Sequence, residues 1–147
     1  MAGSVRVDEK HLNMLKDMTQ NDKGLKIFES YKDLVVFAAV LGYNHGIKEK
    51  INKQMGDPIK MHIFSGEYDL SIINCIALAE TGDPMFLGEK KEDDKINIFE
   101  EYANAGLNLI NESIYKQPGD WIEKIIALIS EQKGSDDDPL DELVNEW

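Results

Sequence analysis

Cysteine is nearly absent from this chain. Cys75 stands alone, so no internal disulfide can form, and nothing in the sequence asks for an oxidising compartment. Long apolar runs are missing too. The longest nearly uncharged one, Leu34 to Tyr43, is about half the length needed to cross a bilayer. Met1 to Lys10 has no apolar centre and meets charge at Arg6, unlike a secretory signal. We therefore expect a cytoplasmic protein that does not span a membrane.

Signatures of chemistry are equally scarce. His11, His45, His62 and Cys75 show no paired ligand spacing, and the sequence holds no CxxC, HxxxH or HExxH. Cys75 falls within a helical pattern on an expected core face, where a thiol is buried and inert. Ser65-Gly66 lacks the strand-turn-helix setting of a nucleophile elbow. There is no Walker loop and no GxGxxG; the glycines stand singly where helices should end. A metal-dependent nuclease needs clustered carboxylates and a lysine on a strand, to hold Mg²⁺ and orient a water. Asp57 and Lys60 flank the one candidate strand, without a second acid beside them. Glu89 to Asp94 reads as a solvated acidic loop. We expect no enzymatic activity, no catalytic residues, no metal and no cofactor.

What is plentiful is acid, unevenly spread. Residues 1–60 hold 10 Lys/Arg against 8 Asp/Glu, and residues 61–147 hold 6 against 20, giving the net charge of −12. Binding to phosphates needs clustered cations, so the C-terminal half should repel free nucleic acid. The imbalance favours a basic partner, or one whose DNA-binding surface this chain covers, although solubility alone is also sufficient reason for it.

At 147 residues the chain has the size of one domain, able to bury roughly 70% of its unfolded surface. Val5 to Thr19 reads as a first helix, with Asp8 and Glu9 near its start and Leu12, Leu15 and Met18 on one side. Ser30, with Asp33 three residues on, caps a helix from Tyr31 to Asn44 that is apolar nearly all round and should be the central buried one. Gly46 ends it. Ile47 to Met55 is a cationic linker or a short surface helix. Ile59, Met61 and Ile63 alternate with Lys60 and His62, so Ile59 to Phe64 is the one candidate strand. Glu67 to Thr81 follows as a helix with Leu70, Ile73, Ile76 and Ala77 inward, and then a loop from Asp83 to Asp94. A long helix from Lys95 to Tyr115 carries Ile98, Phe99, Tyr102, Leu109 and Ile110 as its apolar positions, and Gln117-Pro118-Gly119 breaks it. Asp120 caps the last body helix, Trp121 to Gln132, with Ile122, Ile125, Ile126 and Ile129 as its expected core stripe.

A helix-turn-helix is one further arrangement to weigh. Tyr31 to Asn44, Gly46 and Ile47 to Met55 have its spacing. The second element, however, offers Lys48, Lys50 and Lys53 with little that reads bases beyond Asn52 and Gln54. Those lysines suit a phosphate contact or plain solvation.

The last thirteen residues, Ser135 to Trp147, differ from the body: they hold six acids and no base. Asp138-Pro139 reads as an N-cap followed by proline at the first helical position. Leu140, Leu143, Val144 and Trp147 then recur at helical spacing as one apolar stripe. Such a short acidic helix suits a hydrophobic groove with a basic rim, with Trp147 as the anchor. Packing against the chain's own body and fraying are the alternatives.

Three stretches carry a family resemblance. They are Tyr31 to Leu41-Gly42-Tyr43-Asn44-His45-Gly46, then Ile76 to Glu80-Thr81-Gly82-Asp83, then Glu100-Glu101-Tyr102-Ala103-Asn104-Ala105-Gly106. Over residues 30–132 the chain resembles the small bacterial family of DNA phosphorothioation-associated protein 4, also called dnd system-associated protein 4. The resemblance implies an accessory role in anti-phage defence systems that replace a DNA phosphate oxygen with sulfur, and it brings no catalytic residues. It implies Tyr43, His45, Glu80, Asp83, Tyr102 and Asn104 as a shared surface, with Gly42 and Gly46 as close-packing and capping glycines. The tail after Gly134 lies outside it.

Together these readings lead us to expect a mainly α, single-domain bundle of about five helices with at most one short β element. Residues 1–134 form the body and 135–147 an acidic, amphipathic tail helix. The leading function is a non-catalytic adaptor in a bacterial defence complex, docking a larger nuclease, ATPase or SMC-like subunit through Leu140, Leu143, Val144 and Trp147. The alternative is a DNA-contacting or sensing module that uses Lys48, Lys50 and Lys53.

Overall fold

A computed structural model of the chain describes residues 4–19, 28–54, 56, 58–64, 67–87 and 92–133. Five α-helices account for most of them: α1 (Leu12–Thr19), α2 (Tyr31–His45), α3 (Glu67–Thr81), α4 (Glu92–Ile110) and α5 (Trp121–Lys133). Two short strands, β1 (Ser4–Val5) and β2 (Ile59–Lys60), pair antiparallel, with Ser4 opposite Lys60 and Val5 opposite Ile59. The fold is mainly helical, as the sequence predicts.

The centre is the crossing of α2 with α4. Ser30 accepts the Asp33 backbone N–H and so begins α2, and Gly46, left-handed at φ 66°, ends it. Between them Leu34, Val35, Ala38, Ala39, Leu41 and Gly42 are all buried, as a helix apolar on every side requires. Two glycines let the helix backbones touch. A Cβ added to Gly42 would lie 2.2 Å from the Tyr102 carbonyl oxygen, and one on Gly106 would lie 1.8 Å from that of Ala38. Neither crossing helix can carry even alanine there without moving.

The N-terminal segment departs from expectation. Val5 to His11 is not the first half of a helix. Val5 and Val7 are buried while Arg6 between them is not. That period-two pattern of β-branched residues fits an extended strand. Asp8 then caps a 3₁₀ turn, Glu9–His11, by accepting the Lys10 N–H, and α1 starts only at Leu12. The candidate strand is shorter than its alternation implies. After Lys60 the chain tightens into a 3₁₀ turn, Met61–Phe64. This swings Phe64 onto Phe99, with centroids 6.0 Å apart and nearly perpendicular rings, and leaves Ile63 exposed. Ile47 to Lys53 is not helical; it crosses α4 as an extended strap, with the Glu49 N–H donating to the Glu101 carbonyl at 3.0 Å.

α4 starts three residues earlier than predicted. Glu92, Asp93 and Asp94 form its first turn, where the helix dipole favours acids. It then widens into a π-helical turn, Asn111–Tyr115, before Gly119 reverses the chain at φ 109°. The Ile122 N–H donates to the Asp120 carboxylate at 2.9 Å, and α5 follows. Among the described residues no helix is long and apolar enough to cross a membrane.

Candidate functional site

At the end of α2 four side chains from separate elements meet. The Tyr102 hydroxyl, on α4, donates to the Glu80 carboxylate on α3. Lys48, on the strap, pairs with the other Glu80 oxygen at 2.5 Å and stands 5.7 Å from the Tyr102 ring centroid. Tyr43 meets that ring edge-on, with centroids 5.5 Å apart. Thus Tyr43, Glu80 and Tyr102, three residues of the expected shared surface, come together, and Lys48 joins them.

The electrostatics of this cluster fix charge states rather than poise them. Burial, then the Glu80 hydrogen bond, pushes Tyr102 up to about 12. Lys48 and Tyr102 hold the Glu80 carboxyl below its ordinary value, and Glu80 holds the Lys48 ammonium above its own. A general acid or base works best with its pKa near the operating pH. All three groups are moved away from neutrality, so the arrangement is suited to latching α3, α4 and the strap together.

The other expected surface residues lie apart. His45 is exposed at the last position of α2. Asp83 is exposed and accepts the Met85 N–H at 3.0 Å, capping the 3₁₀ turn Pro84–Leu87. Asn104 is not a surface residue. It is buried, and its amide nitrogen donates to the carbonyls of Glu49 and Lys50 at 3.2 and 3.1 Å. Its oxygen must then accept, which makes His11 Nε2 the donor across 2.8 Å. His11 Nδ1 is left buried without a partner. Tyr102 is likewise buried.

His11 thus stands neutral between α1 and α4, and burial depresses its pKa, reinforced by Lys10 and opposed by Asn104, Asp8 and Glu49. The unfolded chain, near the ordinary 6.5, takes up its proton first as pH falls. Stability is therefore level above about pH 7 and declines below it, with a slope approaching about 1.4 kcal/mol per pH unit until the folded histidine also titrates. Urea denaturation at pH 7.5 and 5.5 should show this loss in the wild type and a smaller one in His11→Gln. Equal losses in both would remove His11 as the cause. Asp8, buried beside it, behaves oppositely. Burial raises its pKa, but the N–H groups of Asn52 and Lys10, at 2.9 and 3.2 Å, outweigh that and keep it a carboxylate.

The sequence reading missed a second buried charge. Glu100 is only 3% exposed and is bound by Arg6 through its guanidinium, at 2.9 Å from Nη2, and through its backbone N–H. The signal was present in the spacing. Ile96, Phe99, Ala103, Leu107 and Ile110 form the inner stripe of α4, and Glu100 and Asn104 sit on the same face.

The lysine segment is largely engaged with acids. Lys48 pairs with Glu80, Lys53 with Glu9 at 3.3 Å, and Lys50 lies beside Arg6, Glu100 and Glu101. Cys75 is exposed on α3, not buried as its run implied, and Leu70 is also turned outward at 41%. On α5 the expected core stripe is mostly reversed. Leu128 is buried, and Trp121 and Ile125 pack against the core, but Ile122, Ile126 and Ile129 are 41, 58 and 38% exposed. The four tail residues Leu140, Leu143, Val144 and Trp147 lie outside the described residues. Among the described residues no group of three or more His, Cys, Asp or Glu is placed to hold a metal ion.

Comparison with known proteins decides the family. The sequence model of DNA sulphur modification system-associated protein 4 matches residues 4–145. The chain belongs to that family. The match reaches further than the resemblance over residues 30–132 and corrects it at the C-terminus. It takes in the acidic tail through Asn145, so Leu140, Leu143 and Val144 lie within the family's span and Trp147 beyond it. No curated protein and no solved structure matches. Membership associates the chain with a DNA sulphur modification system, and His11, Glu100 and Asn104 serve this family member as buried polar ties beneath whatever its surface does.

Proposed function

We propose that this chain is a non-catalytic accessory subunit of its DNA sulphur modification system, an adaptor that docks a larger nuclease, ATPase or SMC-like subunit in anti-phage defence. The observation that carries the reading is the outer face of α5. Ile122, Ile126 and Ile129 remain exposed there, and in sequence they are followed shortly by the apolar residues Leu140, Leu143, Val144 and Trp147. An exposed apolar helix face on a strongly acidic domain favours a macromolecular partner. The charge of −12 favours one with a basic rim. Family membership supports work within a multi-component system, and the Lys48–Glu80–Tyr102 latch gives no neutral-pH proton carrier at the shared cluster.

Direct DNA contact through Lys48, Lys50 and Lys53 is the weaker reading, because two of those lysines are already paired with carboxylates. The adaptor reading is tested with a tagged chain expressed beside its neighbouring genes. Deleting residues 135–147, or changing Leu143→Ala with Trp147→Ala, should abolish co-purification of the partner while thermal melting stays within a few degrees of wild type. Full recovery of the partner by the shortened chain would overturn docking through the tail.

A further inference from the structure

We propose that the groove between α1, the start of α2 and the β2 segment docks an acidic amphipathic helix of a partner protein. This is a second surface, different from the α5 face in every residue, and the adaptor reading does not depend on it.

The groove arises where the Ile59 to Phe64 segment departs from a strand. Continued alternation would turn Ile59, Met61 and Ile63 to one side. The 3₁₀ turn Met61–Phe64 instead sends Phe64 wholly into the core and leaves Ile63 46% exposed. Ile63 then stands at the lip of an open space of about 510 Å³, floored by Leu12, Tyr31, Pro58 and Ile59. That volume lies within the roughly 300–1,000 Å³ of sites that take a ligand. Leu12 and Tyr31 also pack against the core, so the fold fixes the floor.

The charge of the groove runs against that of the chain. The sequence holds 28 acids against 16 bases, yet Lys16 and Lys32 line the groove and, among the described residues, no carboxylate does. Lys32 is held by Asp69 at 2.8 Å and by Asp33 at 3.4 Å. Lys16 is exposed, one helical turn from Leu12 on the same side of α1, and pairs with no acid among the described residues. Its neighbour Asp17 accepts from the Tyr115 hydroxyl instead. Covering an ammonium with apolar surface is costly unless an anion meets it. The fitting occupant brings a carboxylate to Lys16 and apolar side chains to the floor.

The lip sets the size of that occupant. A ligand held wholly inside the groove would leave Ile63 in water, so covering it takes something that lies across the mouth. An amphipathic helix does this, laying apolar residues a turn apart into the floor while flanking acids reach the lysine. Repulsion from the chain's net charge of −12 is largely screened beyond roughly 8 Å at physiological salt, whereas the contact with Lys16 is made at close range. A basic helix has the opposite balance: the chain as a whole attracts it and the groove repels it.

The test is fluorescence anisotropy on the full-length chain at physiological salt. The probes are two labelled helical peptides with leucine at i, i+3, i+4 and i+7, and either glutamate or lysine at the other positions. We expect the glutamate peptide to bind, and Lys16→Glu to weaken it about fivefold by turning an attraction into a repulsion. Ile63→Ser should weaken it by about fivefold as well, through lost apolar contact. Both positions are exposed, so both variants should melt as the wild type does. The lysine peptide, drawn by the net charge to other parts of the surface, should be indifferent to Ile63→Ser. No binding of the glutamate peptide, binding indifferent to both substitutions, or an equal loss of both peptides on Ile63→Ser would each overturn the proposal. So would loss of the glutamate peptide on Ile126→Ser, which assigns it to α5, or binding of octanoate in its stead, which assigns the groove to a small apolar acid. Neither groove substitution touches α5 or residues 135–147, so the co-purification result stands or falls separately.

Discussion

Gly106→Ala should destabilise the protein by about 3 kcal/mol, lowering its melting temperature by roughly 10 °C. Two effects oppose each other at this position. Alanine is the better helix former by about 1 kcal/mol, which alone would stabilise α4. Against it stands the space available. The new Cβ would sit 1.8 Å from the Ala38 oxygen and 2.5 Å from its carbon, where carbon contacts are comfortable only near 3.5 Å. Both obstructing atoms are backbone, so no side chain can rotate away and the helices must separate. Overpacking wins. Gly42→Ala, 2.2 Å from the Tyr102 oxygen, should behave alike. Gly46→Ala is the contrast: nothing lies within 4 Å of its Cβ, and only its left-handed φ is strained, at about 1 kcal/mol. Thermal and urea denaturation of the three variants check the order. A Gly106→Ala protein as stable as wild type would mean that α2 and α4 do not meet backbone to backbone.

Arg6→Met should cost about 2 kcal/mol, less than the roughly 3–5 kcal/mol typical of breaking a fully buried pair, because the Arg6 side chain keeps 46% exposure. The loss comes from Glu100, left 3% exposed without its cation, rather than from the arginine's own packing. Arg6→Met combined with Glu100→Leu should therefore recover part of the stability, since an apolar pair of similar bulk replaces a desolvated charge while the Arg6 backbone N–H loses its acceptor. Urea midpoints of the two single variants and the double one form the cycle. Additive losses in the double variant would assign the effect to packing instead.

Much of the helical frame is legible in the sequence because its signals are local. Ser30 with Asp33, Gly46, Pro118-Gly119 and Asp120 each act within a turn of where they stand, and α2 and α5 begin where these cues place them. The central position of α2 is equally plain, since a helix apolar on every side has nowhere else to go. What stays hidden depends on partners far along the chain. Val5 pairs with Ile59 only because the strap returns them to one edge, and local propensity read the segment as helix. His11 and Asn104 gain their roles from meeting each other across 2.8 Å. Which side of α5 faces inward is likewise set by Tyr115, whose ring meets that of Trp121 at a tilt with centroids 5.9 Å apart, and by where α4's π turn points the chain. Hydrophobic spacing alone marks both sides of that helix as apolar and cannot choose between them.

The shared surface shows the same division. Tyr43, Glu80 and Tyr102 stand far apart in sequence, and it is the α2–α4 crossing, made close by Gly42 and Gly106, that joins two of them. Lys48 reaches the third because the Gly46 cap turns the chain back over α4. The segment expected as a cationic linker or a short surface helix is thereby an extended strap over α4, two of whose lysines, Lys48 and Lys53, pair with acids.

The central claim is that this family member acts on another subunit through its C-terminal surfaces. Hydrogen–deuterium exchange, comparing the free chain with the assembly recovered from its host, tests it most directly. The account predicts slower exchange across residues 139–147 on assembly, with changed exchange along α5 and none in the α2–α4 centre. An assembly that leaves the exchange of both α5 and the tail unaltered would contradict it.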